Sequence, residues 1–256
     1  RNDRIVEWEE KPKVARTNLA SMGIYVFDYR YLLDSLARDR EENDFGMHIL
    51  PRAIAEDNVF AYPFYGYWRD VGTIQAYWEA NMDVLRRDSG ISPQKWQIRT
   101  NVDTEGRLAD RSPARYGGNC RLQNCMISAG SRIEGTVINS VLSPGVVVEE
   151  GAVVKDSILF EDCVVGRDAV VDLAILDKRV RVGERVVVGY GDNHGCANLR
   201  KPSHLYTGIS LIGKGSSIPS GMQIGRNCVV DSGVGEDMFP GTTLADGESL
   251  INRDES

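Results

Sequence analysis

The chain has 256 residues, 42% of them hydrophobic and 26% charged, a composition that suits one large or two compact folded domains. A formal net charge of -7 and an isoelectric point near 5.1 argue against a general nucleic-acid binder, which carries a basic face, yet leave room for phosphorylated small molecules held by a few local cations. No apolar run approaches the roughly 20 residues of a membrane span, so no membrane partner is expected.

In chain order, "RIVEWEEKP" from Arg4 and "ASMGIYVFD" from Ala20 are expected to be strands, the second bounded by Gly and Asp. Tyr31 to Arg40 reads as a short helix, and "NVFAYPFYGYWRDVG" as strands meeting a turn. Thr73 is a plausible N-cap for a helix through about Arg87, with Ile74, Tyr77, Trp78 and Met82 on its inner side. Strands alternating with helices indicate an α/β layer. Residues 1–90 are assigned to it, and residues 91–119, which include Pro93, Pro113 and several glycines, to a linker. About ninety residues with one long helix make a poor doubly wound sheet, and the first strand follows a turn with no strand before it. The chain is therefore expected to be the C-terminal part of a longer protein.

Residues 120–256 have a different period. Val141, Val147, Val153, Leu159, Val165 and Val171 recur every six residues on one phase. Val146, Ala152, Ile158, Val164, Val170, Leu176, Val182 and Val188 fall on another, and Gly145, Gly151, Ser157, Cys163 and Ala169 supply a small residue on a third. The pattern returns as Ile212, Ile218, Ile224 and Val230. Six fits neither a helix nor a hairpin meander; it is the period of a β-helix, whose turns have three short sides and bury their apolar faces only by stacking. "GYGDNHGCANLRKPSHLYTG" interrupts the repeat and is expected to loop out.

The five cysteines, Cys120, Cys125, Cys163, Cys196 and Cys228, include no CxxC pair and read as reduced thiols of a cytoplasmic protein. A zinc site pairing His194 with Cys196 is an alternative reading of that stretch.

"EEKP", "ASMGIYVF", "NDFGMHILP" and "GYWRDVGTIQAYWEAN", in this order and followed by hexapeptide repeats, resemble bacterial glucose-1-phosphate adenylyltransferases, also called ADP-glucose pyrophosphorylases. The resemblance covers essentially the whole chain. It implies the C-terminal part of a Rossmann-like nucleotidyltransferase domain followed by a left-handed β-helix. It also implies the reaction of ATP with glucose 1-phosphate in glycogen synthesis, a homotetramer, and sensitivity to a small-molecule effector. Carried over position by position, it makes Glu10 a holder of sugar hydroxyls and Lys11 the partner of the sugar phosphate, a role suited to a compact ammonium charge. Ser21 becomes a further glucose 1-phosphate contact. Asp44 is a supporting residue or a turn cap. Asp70 becomes a magnesium ligand, a hard oxygen donor for a hard cation.

The family's glycine-rich nucleotide loop and its first metal-binding aspartate have no counterpart in these residues, so the 256 residues alone are expected to be inactive. "LIGKGSSIPSG" is glycine-rich but sits in hexapeptide register. Two other readings stay open: a sugar nucleotidyltransferase using UTP or dTTP, and a non-catalytic β-helix subunit that regulates or scaffolds a partner. A β-helix acyltransferase is disfavoured, because such enzymes use a histidine between coils and His194 and His204 lie in the interruption.

Overall fold

A computed structural model describes residues 3–38, 41, 44–96 and 111–252. The chain forms two compact units, Arg1–Trp68 and Arg69–Ser256.

In the first unit the expected helix forms as α1, Tyr29–Arg38. Asp28 starts it, its carboxylate accepting from the amides of Arg30 and Tyr31 at 3.0 Å. A second helix, not anticipated, is α2, Leu50–Glu56, with Pro51 in its first turn, where a missing N–H costs nothing. It continues from a wide turn, Phe45–Ile49, begun by Asp44. Ile49, Leu50 and Ala53 are buried on this segment. The strands expected from Arg4 and Ala20 are not ladders among the described residues. The one pairing of these segments among the described residues is an isolated antiparallel bridge between Arg4 and Phe60, flanked by Ile5 N–H to Val59 O at 2.8 Å and Ala61 N–H to Asp3 O at 2.7 Å. A strand is defined by its neighbour, and the apolar alternation of these segments is left facing solvent: Val6 is 84% and Val26 98% exposed.

The second unit opens with α3, Ile74–Asp83, capped as expected by Thr73, whose hydroxyl accepts from the Ala76 amide at 3.1 Å. The helix ends four residues earlier than Arg87. Trp78 donates its indole N–H to Asp156 O at 2.8 Å, which fastens α3 to the solenoid. Burial pushes the Tyr77 phenol above its ordinary value, with Asp177 and Glu161 adding to the rise. Residues 97–110 of the expected linker lie outside the described residues.

From Arg115–Tyr116 onward, two- and three-residue strands stack into three parallel sheets of six, seven and seven strands among the described residues, one sheet for each side of the coil. Handing the chain from sheet to sheet makes a parallel β-solenoid. Its interior holds Leu142, Val148 and Val154, then Leu159, Val165 and Val171, then Leu176, Val182 and Val188, all at most 2% exposed.

This corrects the constant six-residue phase. Val141, Val147 and Val153 face outward and are only half-buried. From Val141 to Ile175, aligned with Ile158 between them, successive coils advance by 17 residues, because one corner in each of these coils is a residue short. Asn139, Asp156 and Leu173 turn that corner with φ of +44°, +49° and +51°. Asn and Asp tolerate this backbone, and they lock it by a ladder: Asn124 donates to Asn139 Oδ1 at 2.9 Å, and Asn139 to Asp156 Oδ1 at 2.5 Å. Inside the same corner, Ser157 Oγ donates to Lys155 O and accepts from the Ala174 amide, so the buried hydroxyl is satisfied. Close stacking also fixes glycines. A Cβ at Gly183 would lie 2.7 Å from Ser220 N and 2.8 Å from Ile218 O of the next coil.

The segment from Gly189 to Gly208 carries no strand, as expected of an interruption, but it is tied to the solenoid. Asn227, fully buried, accepts from the Gly208 amide at 2.8 Å and donates to His194 O and Cys196 O. Asn198, also fully buried, donates to Asn227 O and Ser249 Oγ, while its own carbonyl receives the Arg200 and Lys201 amides. Arg226, 4% exposed, pairs with Asp172 at 2.7 Å and donates to Gly191 O.

Candidate active site

Within the first unit the structure brings together three of the four expected motifs. Trp8 donates its indole N–H to Gly46 O at 2.8 Å, joining "EWEEKP" to "NDFG". The Glu10 carboxylate occupies the space into which a side chain at position 46 would project, so a larger residue there would displace the Glu10 carboxylate. Phe45 stacks on Tyr25 with ring centroids 5.8 Å apart, and the Tyr25 hydroxyl is 2.9 Å from Ser21 Oγ. The route from Glu10 to Ser21 thus runs through Gly46, Phe45 and Tyr25. Trp8, Tyr25 and Gly46 were missed as organisers of the site; the only signal was their place inside the quoted motifs.

Lys11 lies at φ +46°, directly ahead of Pro12. Few non-glycine residues adopt this left-handed backbone, and conformations of that kind cost on the order of 1–3 kcal/mol, so surrounding structure must hold it. Its ammonium is 3.7 Å from Glu10 Oε1 and its side chain 91% exposed. An exposed pair of this kind stabilises little. Chemically it sets a cation next to a carboxylate, which can take an anion and a hydroxyl of one ligand.

Ser21 is exposed; its Oγ accepts from the Gly23 amide at 3.1 Å as well as meeting Tyr25. Asp44 caps the turn after it, accepting from the Met47 amide at 2.7 Å. Both Asp44 and Ser21 therefore have local structural work beside any role toward a ligand.

Asp70 belongs to the second unit. It is exposed, and its Oδ1 accepts from the Gly72 amide at 3.0 Å, an Asx turn two residues before the Thr73 cap. Residues 61–69 carry no strand, so the turn and the helix set its direction. Just before it, Arg69 pairs with Glu79 and, at 2.6 Å, with Asp83 on one face of α3, while Gln75 donates to Glu79 from the turn below. The acids four residues apart in "EANMD" were the sequence signal for this clamp.

Among the described residues, no group of three or more His, Cys, Asp and Glu side chains could hold a metal ion. A zinc site at His194 and Cys196 is therefore not formed there. Magnesium makes a smaller demand, usually one or two carboxylates with substrate phosphates and water completing its shell. Asp70 fits it as a single donor, being exposed, with only the Gly72 amide among the described residues hydrogen-bonded to its carboxylate at Oδ1.

Cys163 and Cys228 are fully buried, and burial raises both thiols to about 12. All five cysteines are free.

These features coincide with what comparison with known proteins finds. A nucleotidyl transferase family profile matches residues 1–87, and a GlmU-like, C-terminal hexapeptide profile matches residues 112–212. The chain is thus a nucleotidyl transferase region followed by a hexapeptide solenoid. It is 39% identical to a glucose-1-phosphate adenylyltransferase of Acetivibrio thermocellus, with 100% of the chain and 60% of the relative aligned. Enzymes of the same name from Pseudothermotoga lettingae and Thermomicrobium roseum are 42% and 43% identical, over 99% and 96% of the chain. The chain belongs to this family, and it spans about three-fifths of the length of these relatives.

Proposed function

We propose that the protein is a glucose-1-phosphate adenylyltransferase, joining ATP and glucose 1-phosphate to give ADP-glucose and pyrophosphate for glycogen synthesis. One observation carries the reading: likeness to enzymes of that name along essentially the whole chain; the roles of Glu10, Lys11, Ser21 and Asp70 are part of the proposal. In the reaction a phosphate oxygen of the sugar attacks the α-phosphorus of ATP. A new O–P bond forms, the bond to the β-phosphate oxygen breaks, and pyrophosphate leaves. Two anions must meet, so catalysis rests on positioning and charge neutralisation.

In this reading Lys11 holds the attacking phosphate, which its exposed ammonium and fixed backbone suit. Glu10 accepts from glucose hydroxyls, and Ser21 adds a hydroxyl contact. Asp70 holds magnesium, which when bound offsets the charge of the nucleotide phosphates. A cytoplasmic location agrees with five free thiols, two of them sealed in the core. No helix among the described residues is long and apolar enough to cross a membrane. A homotetramer under the control of a small-molecule effector is the assembly we infer from the same likeness, and the mass in solution tests it.

The deciding experiment assays the full-length protein with glucose 1-phosphate and ATP, UTP or dTTP, beside Asp70→Asn. ATP is expected to be preferred. The variant, isosteric but uncharged, should fold normally and lose at least about a hundredfold in kcat, in part recovered by high magnesium. Preference for UTP or dTTP replaces the nucleotide in this reading. Near-normal turnover by the variant, or no turnover by the parent with any nucleotide, ends it.

A further inference from the structure

The acid we assign to magnesium does not stand on a free loop. Asp70 lies between two anchors in the same compact unit as the solenoid. After it, the Gly72 amide holds its Oδ1, and Thr73 begins α3. Before it, the Arg69 guanidinium spans Glu79 and Asp83, two turns of one face of α3. Asp83 is only 9% exposed and also meets Arg86 at 3.6 Å, so the far end of this clamp is held as well. Halfway along α3, Trp78 is bonded to Asp156 O, at the corner where the Asn139–Asp156 ladder locks the solenoid.

We propose that Arg69 is a positioning residue, which fixes the Asp70 carboxylate to α3 and, through Trp78, to the solenoid, so that the solenoid sets the direction of the metal ligand. The inference rests on the magnesium role given to Asp70 above. Its physical basis is entropy and direction. A carboxylate on an unclamped loop must be ordered by the metal it binds, whereas one held from both sides is ordered beforehand. Arginine suits the post because its planar fork presents separate N–H groups to two acids in a fixed geometry, which lysine's compact ammonium does not provide. The clamp also gives the hexapeptide region a part in catalysis without placing any of its residues at the substrate.

The test uses the full-length protein and two readouts. Mn2+ binding in the presence of ATP, without sugar phosphate, is followed by electron paramagnetic resonance. Magnesium activation and the KM for glucose 1-phosphate are measured on the same samples. Arg69→Gln should weaken Mn2+ binding and raise the magnesium needed for half-activation by about tenfold, the usual scale for a residue behind a metal ligand. The KM for the sugar phosphate should stay unchanged. Arg69→Lys should fall in between, and Trp78→Phe, which keeps the ring but loses the donor, should shift both readings in the same direction. Glu79→Gln weakens one partner of Arg69 at a half-buried helix position and serves if Arg69→Gln does not fold.

Wild-type Mn2+ affinity in the Arg69 or Glu79 variant, with affinity lost in Asp70→Asn, overturns the positioning role and leaves the metal role standing. Wild-type affinity in Asp70→Asn removes the metal role, and the clamp falls with it.

Discussion

At the scale of single residues, the site contacts are exposed while their supports are not loose. Lys11 shows this best, with a side chain in solvent on a backbone held left-handed ahead of Pro12. If its ammonium holds the sugar phosphate, Lys11→Ala in the full-length protein should raise the KM for glucose 1-phosphate by about ten- to a hundredfold with a smaller change in kcat, the scale of one charge-assisted contact. An unchanged KM would make it a surface lysine. The buried thiols behave oppositely. Cys163 and Cys228 keep their protons in the fold up to about pH 12, whereas in an unfolded chain they release them near their ordinary value of 9.0. The sign follows from proton binding. Between pH 9 and 12 the unfolded chain holds fewer protons than the native one, so stability present below pH 9 falls as pH rises through that window. Replacing both cysteines by alanine should flatten this fall in thermal scans, and an unchanged slope would assign it to other groups. In the native protein a thiol reagent at pH 8 should modify neither residue.

At the scale of elements, α3 was legible and the strands of the first unit were not. A cap, an amphipathic face and a run of good helix formers are local, so "TIQAYWEANMD" shows them without its surroundings. A strand is not local. "RIVEWEEKP" has the alternation, but its ladder depends on a neighbour that the described residues do not supply beyond the Arg4–Phe60 bridge. The coils fall between these cases. Their existence followed from the six-residue recurrence. Their inward face did not, because the short corner at Asn139, Asp156 and Leu173 moves the buried position back by one residue in each of those three coils. Leu176 tests the corrected register. It is fully buried, so Leu176→Ala should cost about 2–5 kcal/mol, read from chemical denaturation. Val147→Ala, at an outward position of a neighbouring side, should cost much less. Equal losses would restore the constant phase.

At the scale of the whole molecule, the boundary between the two compact units falls between Trp68 and Arg69, inside the motif "GYWRDVGT". The motif that reads as one functional stretch is shared between units, and its acid goes with the solenoid. Purified residues 1–256 should not synthesise ADP-glucose, because no glycine-rich phosphate loop occurs among them and no group of three or more His, Cys, Asp and Glu side chains among the described residues could hold a metal ion without help from a ligand. Robust turnover by that polypeptide, free of host enzyme, would show that it holds a nucleotide site we have not found.

The sequence by itself determined the class of this protein: a six-residue recurrence can bury its apolar face only by stacking coils, and four motifs in order carry the family likeness. It also determined the Thr73 cap and the residue types at the candidate site. Only the tertiary structure decided which valines face inward, since a corner one residue short changes the phase without changing the composition. Only it showed that Asn198 and Asn227 tie the interruption to the solenoid, and that Arg69 reaches Glu79 and Asp83. Those arrangements depend on side chains distant along the chain meeting in space, and no local propensity encodes such a meeting.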